Sequence, residues 1–152
     1  MAVRSAPLRR LAAPYRRILV PLVPDEESET AVALAAELAG EYGSTITAVV
    51  VIEVPPALPL EAHMFEEEAA AKRALEDARA IASLRGVRVR ARILRARVAG
   101  EAIVDEAGDA EVDVIVLRAP RSGRRWKMFG RTVDHVLKHA PCRVMVDAPR
   151  PA

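Results

Sequence analysis

Short apolar runs alternate with stretches of helical periodicity along almost the whole chain, and this alternation constrains the fold more than any other feature. Ile18–Val23 is apolar, β-branched and closed by Pro24, as a buried strand requires, and Asp25 stands where a helix N-cap belongs. From Glu29 to Tyr42, Ala31, Leu34, Ala35, Leu38 and Tyr42 recur at helical spacing, and Gly43 supplies the stop. Thr45–Ile52 reads as a second strand, followed by EVPPALPL, whose prolines exclude helix. A long helix is expected from Glu61 to Leu84, with Met64, Ala71, Leu75, Ala78 and Ala82 as its apolar stripe and Gly86 as its end. Val87, Val89, Ala91 and Ile93 then alternate with Arg88, Arg90 and Arg92, the period of a strand with one wet face. Glu101–Ala107 reads as a short helix and Val112–Leu117 as a fourth strand. A last helix is marked by Val133, Val136, Leu137 and Ala140, and Arg143–Asp147 is a fifth strand. Strands joined by helices need crossovers, which make a mostly parallel sheet covered on both faces: a single three-layer α/β domain.

Length and charge narrow the class. At 152 residues, 51% apolar and 29% charged, the chain has material for one substantial core and is not of disordered composition. No apolar run approaches the ~20 residues that span a bilayer, so direct membrane insertion is not expected. The single cysteine, Cys142, excludes an intrachain disulfide and fits a reducing, cytoplasmic setting. Charge is segregated. Residues 1–17 hold five arginines and no acid, residues 18–81 hold thirteen acids against three basic residues, and residues 82–152 hold fifteen basic residues against eight acids. A polyanion partner would suit such asymmetry, but the scarcity of lysine points to a solvated surface of arginine-rich composition. The basic segment 1–17 lacks the apolar core of a secretory signal and is expected to be a flexible tail, with the folded domain at 18–149.

The last third carries the most specific pattern. DVIVL at 113–117 leads into RAPRSGRRWKMFGRTVDHVLKHAPC and then RVMV. Chain that leaves a buried strand and enters a helix through glycines aims backbone N–H groups and the helix dipole at an anion. Three segments together, ILVPLVPDEESETAVALAAELAGEYG, GEAIVDEAGDAEVDVIVL and GRTVDHVLKHAPCRVMV, resemble the universal stress protein family over residues 18–147. EVPPALPL and FGRTVDHVLKHAPC look most like the branch associated with amino-acid permeases and antiporters. The resemblance implies a Rossmann-like fold of the adenine nucleotide alpha hydrolase type, with parallel strand order 3-2-1-4-5. It also implies a homodimer, taken here to form through the last strand. A non-catalytic role in stress response or signalling is expected; the alternatives are a regulatory partner of a membrane amino-acid transporter and a slow ATPase.

Many family members bind ATP through an aspartate that ends strand one and a G-x-x-G-x9-G-[ST] loop after strand four. This chain departs from that pattern. Val23 occupies the aspartate position and cannot accept from an adenine amine. Arg118 and Pro120 stand at or near the first two glycines of a loop about one residue short, and Pro120 removes a donor and fixes φ. Gly130 matches the third glycine, Arg131 takes the hydroxyl position, and Thr132 follows. Ser122, Gly123, Gly130 and Thr132, with Arg118 and Arg131, are therefore expected to line a basic anion pocket, with Val23 at its base end. No cofactor is assigned; ATP or another adenine nucleotide is expected to bind only weakly.

Other chemistry is disfavoured. His63, His135 and His139 have no sequence-local partner resembling a nucleophile–base pair, and Cys142 reads as a small core residue. Asp25, Glu26 and Glu27 resemble the metal-binding acids of phosphoacceptor receiver domains. That reading also needs an aspartate ending strand three, where Ile93, Leu94 and Arg95 stand. No metal site is expected. Trp126 among arginines is a single aromatic in a chain with 3% aromatics, too few for a nucleic-acid stacking platform, so no nucleic-acid partner is expected.

Overall fold

A computed structural model of the chain describes residues 15–24, 28–119 and 130–148. The elements are β1 (Arg17–Leu22), α1 (Glu29–Tyr42), β2 (Thr45–Glu53), α2 (Phe65–Ser83), β3 (Val89–Ala96), α3 (Ala99–Asp109), β4 (Val114–Arg118), α4 (Gly130–His139) and β5 (Arg143–Asp147). All strand pairs are parallel, in the order β3-β2-β1-β4-β5. This is the order expected from the family resemblance.

Two apolar layers sandwich the sheet. Ile18, Val20, Ile46, Ala48, Val50, Val114 and Val116 point to one face. There they meet an alanine-rich surface of α1 and α2, including Ala31, Ala35, Ala39, Ala71, Ala78 and Ala82. Small side chains let both helices lie close on the β-branched sheet. Leu19, Val49, Ile115 and Leu117 point to the other face, against Ile103 and Ala107 of α3 and Val133 and Val136 of α4. Right-handed crossovers produce this division: the first two run leftward from β1 over one face, and the last two return over the other. Gly100 permits the close contact of α3 with α4, because a Cβ there would sit 2.9 Å from the His135 side chain. At the end of α1, Gly43 adopts φ 68° and its N–H donates to the Ala39 carbonyl, a left-handed cap.

Several boundaries differ from the sequence expectation for identifiable reasons. Helix α2 begins at Phe65, not Glu61, because the Arg95 guanidinium takes the carbonyls of Leu60 and Ala62; Met64 becomes a half-buried N-cap residue. Helix α3 begins two residues early, where the Glu53 carboxylate accepts from the Ala99 N–H at 2.9 Å. Asp113 lies before β4, and its Oδ2 accepts from the N–H groups of Arg16 and Arg17 at 2.8 and 2.9 Å, fastening the start of β1. The N-cap of α1 is Ser28, which makes no side-chain capping bond; Asp25, the expected cap, lies outside the described residues.

Ile93, expected on the inner face of β3, is exposed on this edge strand, while Leu94 packs on the second cluster. Leu137, expected to mark the buried stripe of α4, is also exposed. The tail boundary at residue 17 falls too late. Arg17 is in β1, and Tyr15 already packs on the first cluster, edge-on to Tyr42 at 5.8 Å. The remainder of the tail lies outside the described residues.

Candidate functional site

At the carboxyl ends of the strands, β1 and β4 part company. β1 pairs with β2 along its full length to Leu22, whereas its registered pairs with β4 end at Leu19–Ile115. Pro21, which follows, brings no N–H to the ladder. The connections from these two strands leave toward opposite faces, so a crevice opens between them, the usual ligand position in an open α/β sheet.

That crevice is a cavity of about 310 Å3, the lower end of the size range of small-molecule sites. Its floor is apolar: Pro21, Leu22, Val51, Ile103, Leu117 and Val133. Val23 and Pro24 form the β1 lip, and Arg118, Gly130, Arg131 and Thr132 form the opposite wall. Of the expected site residues, the structure therefore brings Val23, Arg118, Gly130, Arg131 and Thr132 around one cavity. Ser122 and Gly123, with Pro120 and Trp126, lie outside the described residues, as do Asp25, Glu26 and Glu27.

Each wall has a local cause. Gly130 opens α4 with φ 78°, a conformation that L side chains adopt only under strain, so the match to the family's third glycine has a backbone reason. The first N–H groups of this ten-residue helix have no partner within it, and their positive end is at the cavity. Arg131 is exposed at the rim and Thr132 half-buried. Arg118 differs from its neighbours. Its side chain is only 10% exposed, it donates to the Thr30 hydroxyl of α1, and it lies 3.5 Å from the Asp147 carboxylate of β5. It is a braced cationic wall of the cavity.

Sequence reasoning missed Glu53. It is the one carboxylate among the described residues lining the cavity, at the β2 end opposite α4. The available signal was an acid directly after an apolar run at a strand's carboxyl end. In one dimension it is only the start of a proline-rich loop, because the approach of α3 cannot be seen there. Sequence reasoning also missed how that loop is held. Arg97 Nη1 donates to the carbonyls of Pro55 and Leu58 at 2.6 and 2.8 Å, and Arg95 to those of Leu60 and Ala62 and to Glu68. The hydrogen bond from Arg95 lowers the pKa of Glu68 below the ordinary carboxylate range.

The histidines stand apart from the crevice's lining. His63 stacks on the exposed Phe65 ring at 5.3 Å, and His135 and His139 lie one turn apart on α4 with ring centroids 4.4 Å apart. Cys142 packs against the second core cluster, and burial, reinforced by Asp113, pushes its thiol pKa up, so it is protonated at neutral pH. Among the described residues no group of three or more His, Cys, Asp or Glu side chains is placed to hold a metal ion. No helix among them is long and apolar enough to cross a membrane.

A doubly wound sheet with a crevice at the strand-order reversal defines a nucleotide-binding-like α/β domain. The profile of the universal stress protein family matches residues 14–147, and the chain belongs to that family. A universal stress protein of Synechocystis sp. is 29% identical over 134 residues, covering 87% of this chain and 85% of the relative. One from Methanocaldococcus jannaschii is 28% identical over 141 residues, covering 87% and 81%. Among solved structures, a universal stress protein from Archaeoglobus fulgidus in complex with dAMP superposes with a TM-score of 0.71 at 22% identity, covering 87% of this chain and 97% of that one. A universal stress protein in complex with cAMP gives a TM-score of 0.70 at 17% identity, covering 88% of this chain and 97% of that one. At such identities these two establish the fold.

Proposed function

We propose that this chain is a non-catalytic, cytoplasmic regulatory universal stress protein whose crevice holds a small phosphate-bearing ligand and binds ATP weakly. The observation that carries the reading is the cavity's polarity: an apolar floor with the start of α4, Arg131 and the braced Arg118 on one side. A phosphate at the first turn of α4 would be met by N–H groups that have no partner within the helix, by the helix dipole and by a guanidinium. The dAMP and cAMP complexes of the structural neighbours support a ligand of mononucleotide size. Against ATP stands the proline of the short loop after Arg118, which withdraws an N–H from the outer phosphates that AMP does not have, whereas Val23, which offers no acceptor, affects every adenine nucleotide alike. Loss of a few hydrogen bonds at roughly 1–3 kcal/mol each moves a micromolar site toward millimolar, since 1.4 kcal/mol is about tenfold. Titration calorimetry with ATP, AMP and inorganic phosphate tests the reading. Millimolar ATP affinity with tighter AMP is expected, and micromolar ATP affinity would overturn it.

The regulatory unit we propose is a homodimer through β5, a short outer strand whose Val144, Met145 and Val146 are only half-buried. A second reading, partnership with a membrane transporter, is favoured by the segment between β2 and α2. Arg95 and Arg97 hold it in one conformation while Leu58, Leu60 and Phe65 stay exposed. An apolar surface fixed in advance loses little entropy on docking. Loss of a transporter's regulation on Phe65→Ser substitution would support this reading, and unchanged regulation would remove it.

A further inference from the structure

The crevice is polarised along its length, with cations and the start of α4 at one end and Glu53 at the other. The Glu53 carboxylate is divided between two directions. Its Oε2 accepts from the Ala99 N–H at 2.9 Å, which holds the side chain against the first turn of α3, and among the described residues Oε1 takes no hydrogen bond. Strands β2 and β4 are separated only by β1. The β2 and β4 strands themselves therefore lie on the order of 10 Å apart, two interstrand spacings.

Resting on the mononucleotide reading above, we propose that Glu53 determines base specificity at this site. With the phosphate at α4, Oε1 accepts from the exocyclic amine of a 6-aminopurine. The β2 strand thereby supplies an acceptor that Val23 of β1 lacks. A 6-oxopurine would place a carbonyl against the carboxylate, leaving two acceptors facing each other without a proton. A hydrogen bond to a charged acceptor is worth about 1.5–3 kcal/mol, so discrimination of about tenfold to a hundredfold is expected. A site built to accept from an amine rejects the analogue that lacks it, because its polar group is left unpaired.

The test uses the full chain with adenosine and inosine monophosphates in titration calorimetry. The wild type is expected to prefer the adenosine form at least tenfold. Glu53→Gln should shrink that ratio to within about threefold, since an amide can turn its NH2 toward a carbonyl. The same amide can still accept from the Ala99 N–H, so the melting temperature should stay nearly constant, which separates recognition from a capping role. Equal affinity of the wild type for both nucleotides overturns the assignment and leaves the mononucleotide reading standing. So does an unchanged ratio in Glu53→Gln, or an equal loss for both nucleotides with a lower melting temperature. Failure of the wild type to bind either nucleotide overturns both.

Discussion

The two outer strands of the sheet are managed in opposite ways. β3 is eight residues long and has Arg90, Arg92 and Arg95 along it, with Arg88 just before. Arg92 reaches across to the nearly buried Glu106 at 2.6 Å, and Arg95 secures the preceding loop. β5 is five residues long, and between Arg143 and Asp147 it presents Val144, Met145 and Val146, none fully buried. A long outer strand studded with charge resists pairing with another chain; a short apolar one invites it. The arginines of β3 therefore combine two tasks: they discourage edge association and they organise the neighbouring loop.

Breaking the β5 side should have the largest effect. If β5 forms the proposed dimer, Met145→Lys is expected to convert it to a folded monomer, raising the dissociation constant by a hundredfold or more, as a buried unpaired charge costs several kcal/mol, roughly 3–5. Light scattering alongside circular dichroism reads this, and a persistent dimer would mean the interface lies elsewhere. The matching change on β3, Ile93→Lys, should leave association and fold nearly unaltered.

Next in size is the loop. Arg95→Ala removes the donors to Leu60, Ala62 and Glu68 and should destabilise the protein by about 1–3 kcal/mol. Hydrogen exchange should quicken at 54–64 while the central strands stay protected. Denaturant unfolding with no loss would show that the arginine is dispensable.

A smaller effect is expected in acid. Because the folded-state pKa of Glu68 is depressed by Arg95, its contribution is present above the ordinary carboxylate pKa and is lost as pH falls through the lower folded value. Unfolding midpoints followed downward from neutral pH should show a steeper decline in wild type than in Glu68→Gln below the ordinary range; identical profiles would remove the linkage. The smallest effect concerns the termini. Deleting residues 1–14 should barely move the melting temperature, since the segment has no apolar period with which to add to the core. A large loss would assign the tail a docking role.

Much of this architecture was legible in the residues alone. The apolar runs of β1, β2, β4 and β5, the alanine period of α1 and its closing Gly43 each depend on neighbours within a turn or along a strand, and such local patterns can be read in one dimension. The family pattern likewise located Gly130, Arg131 and Thr132, and the φ of Gly130 supplies the physical reason for its glycine. What the sequence left open depended on contacts between distant segments. Helix α2 starts late because an arginine thirty residues on claims its carbonyls, and α3 starts early because an acid from β2 caps it. Ile93 is exposed because its strand lies at an edge, which periodicity does not reveal. The role of Glu53 has the same origin. Whether an acid after a strand is a solvated loop residue or the polar end of a ligand crevice is decided by what the chain brings opposite it, and only the crossovers that place α3 and α4 on one face decide that. Hydrophobic periodicity fixed the elements and their facing, since burial selects it residue by residue; polar positioning was left to tertiary structure, since a hydrogen bond needs two partners that sequence spacing does not bring together.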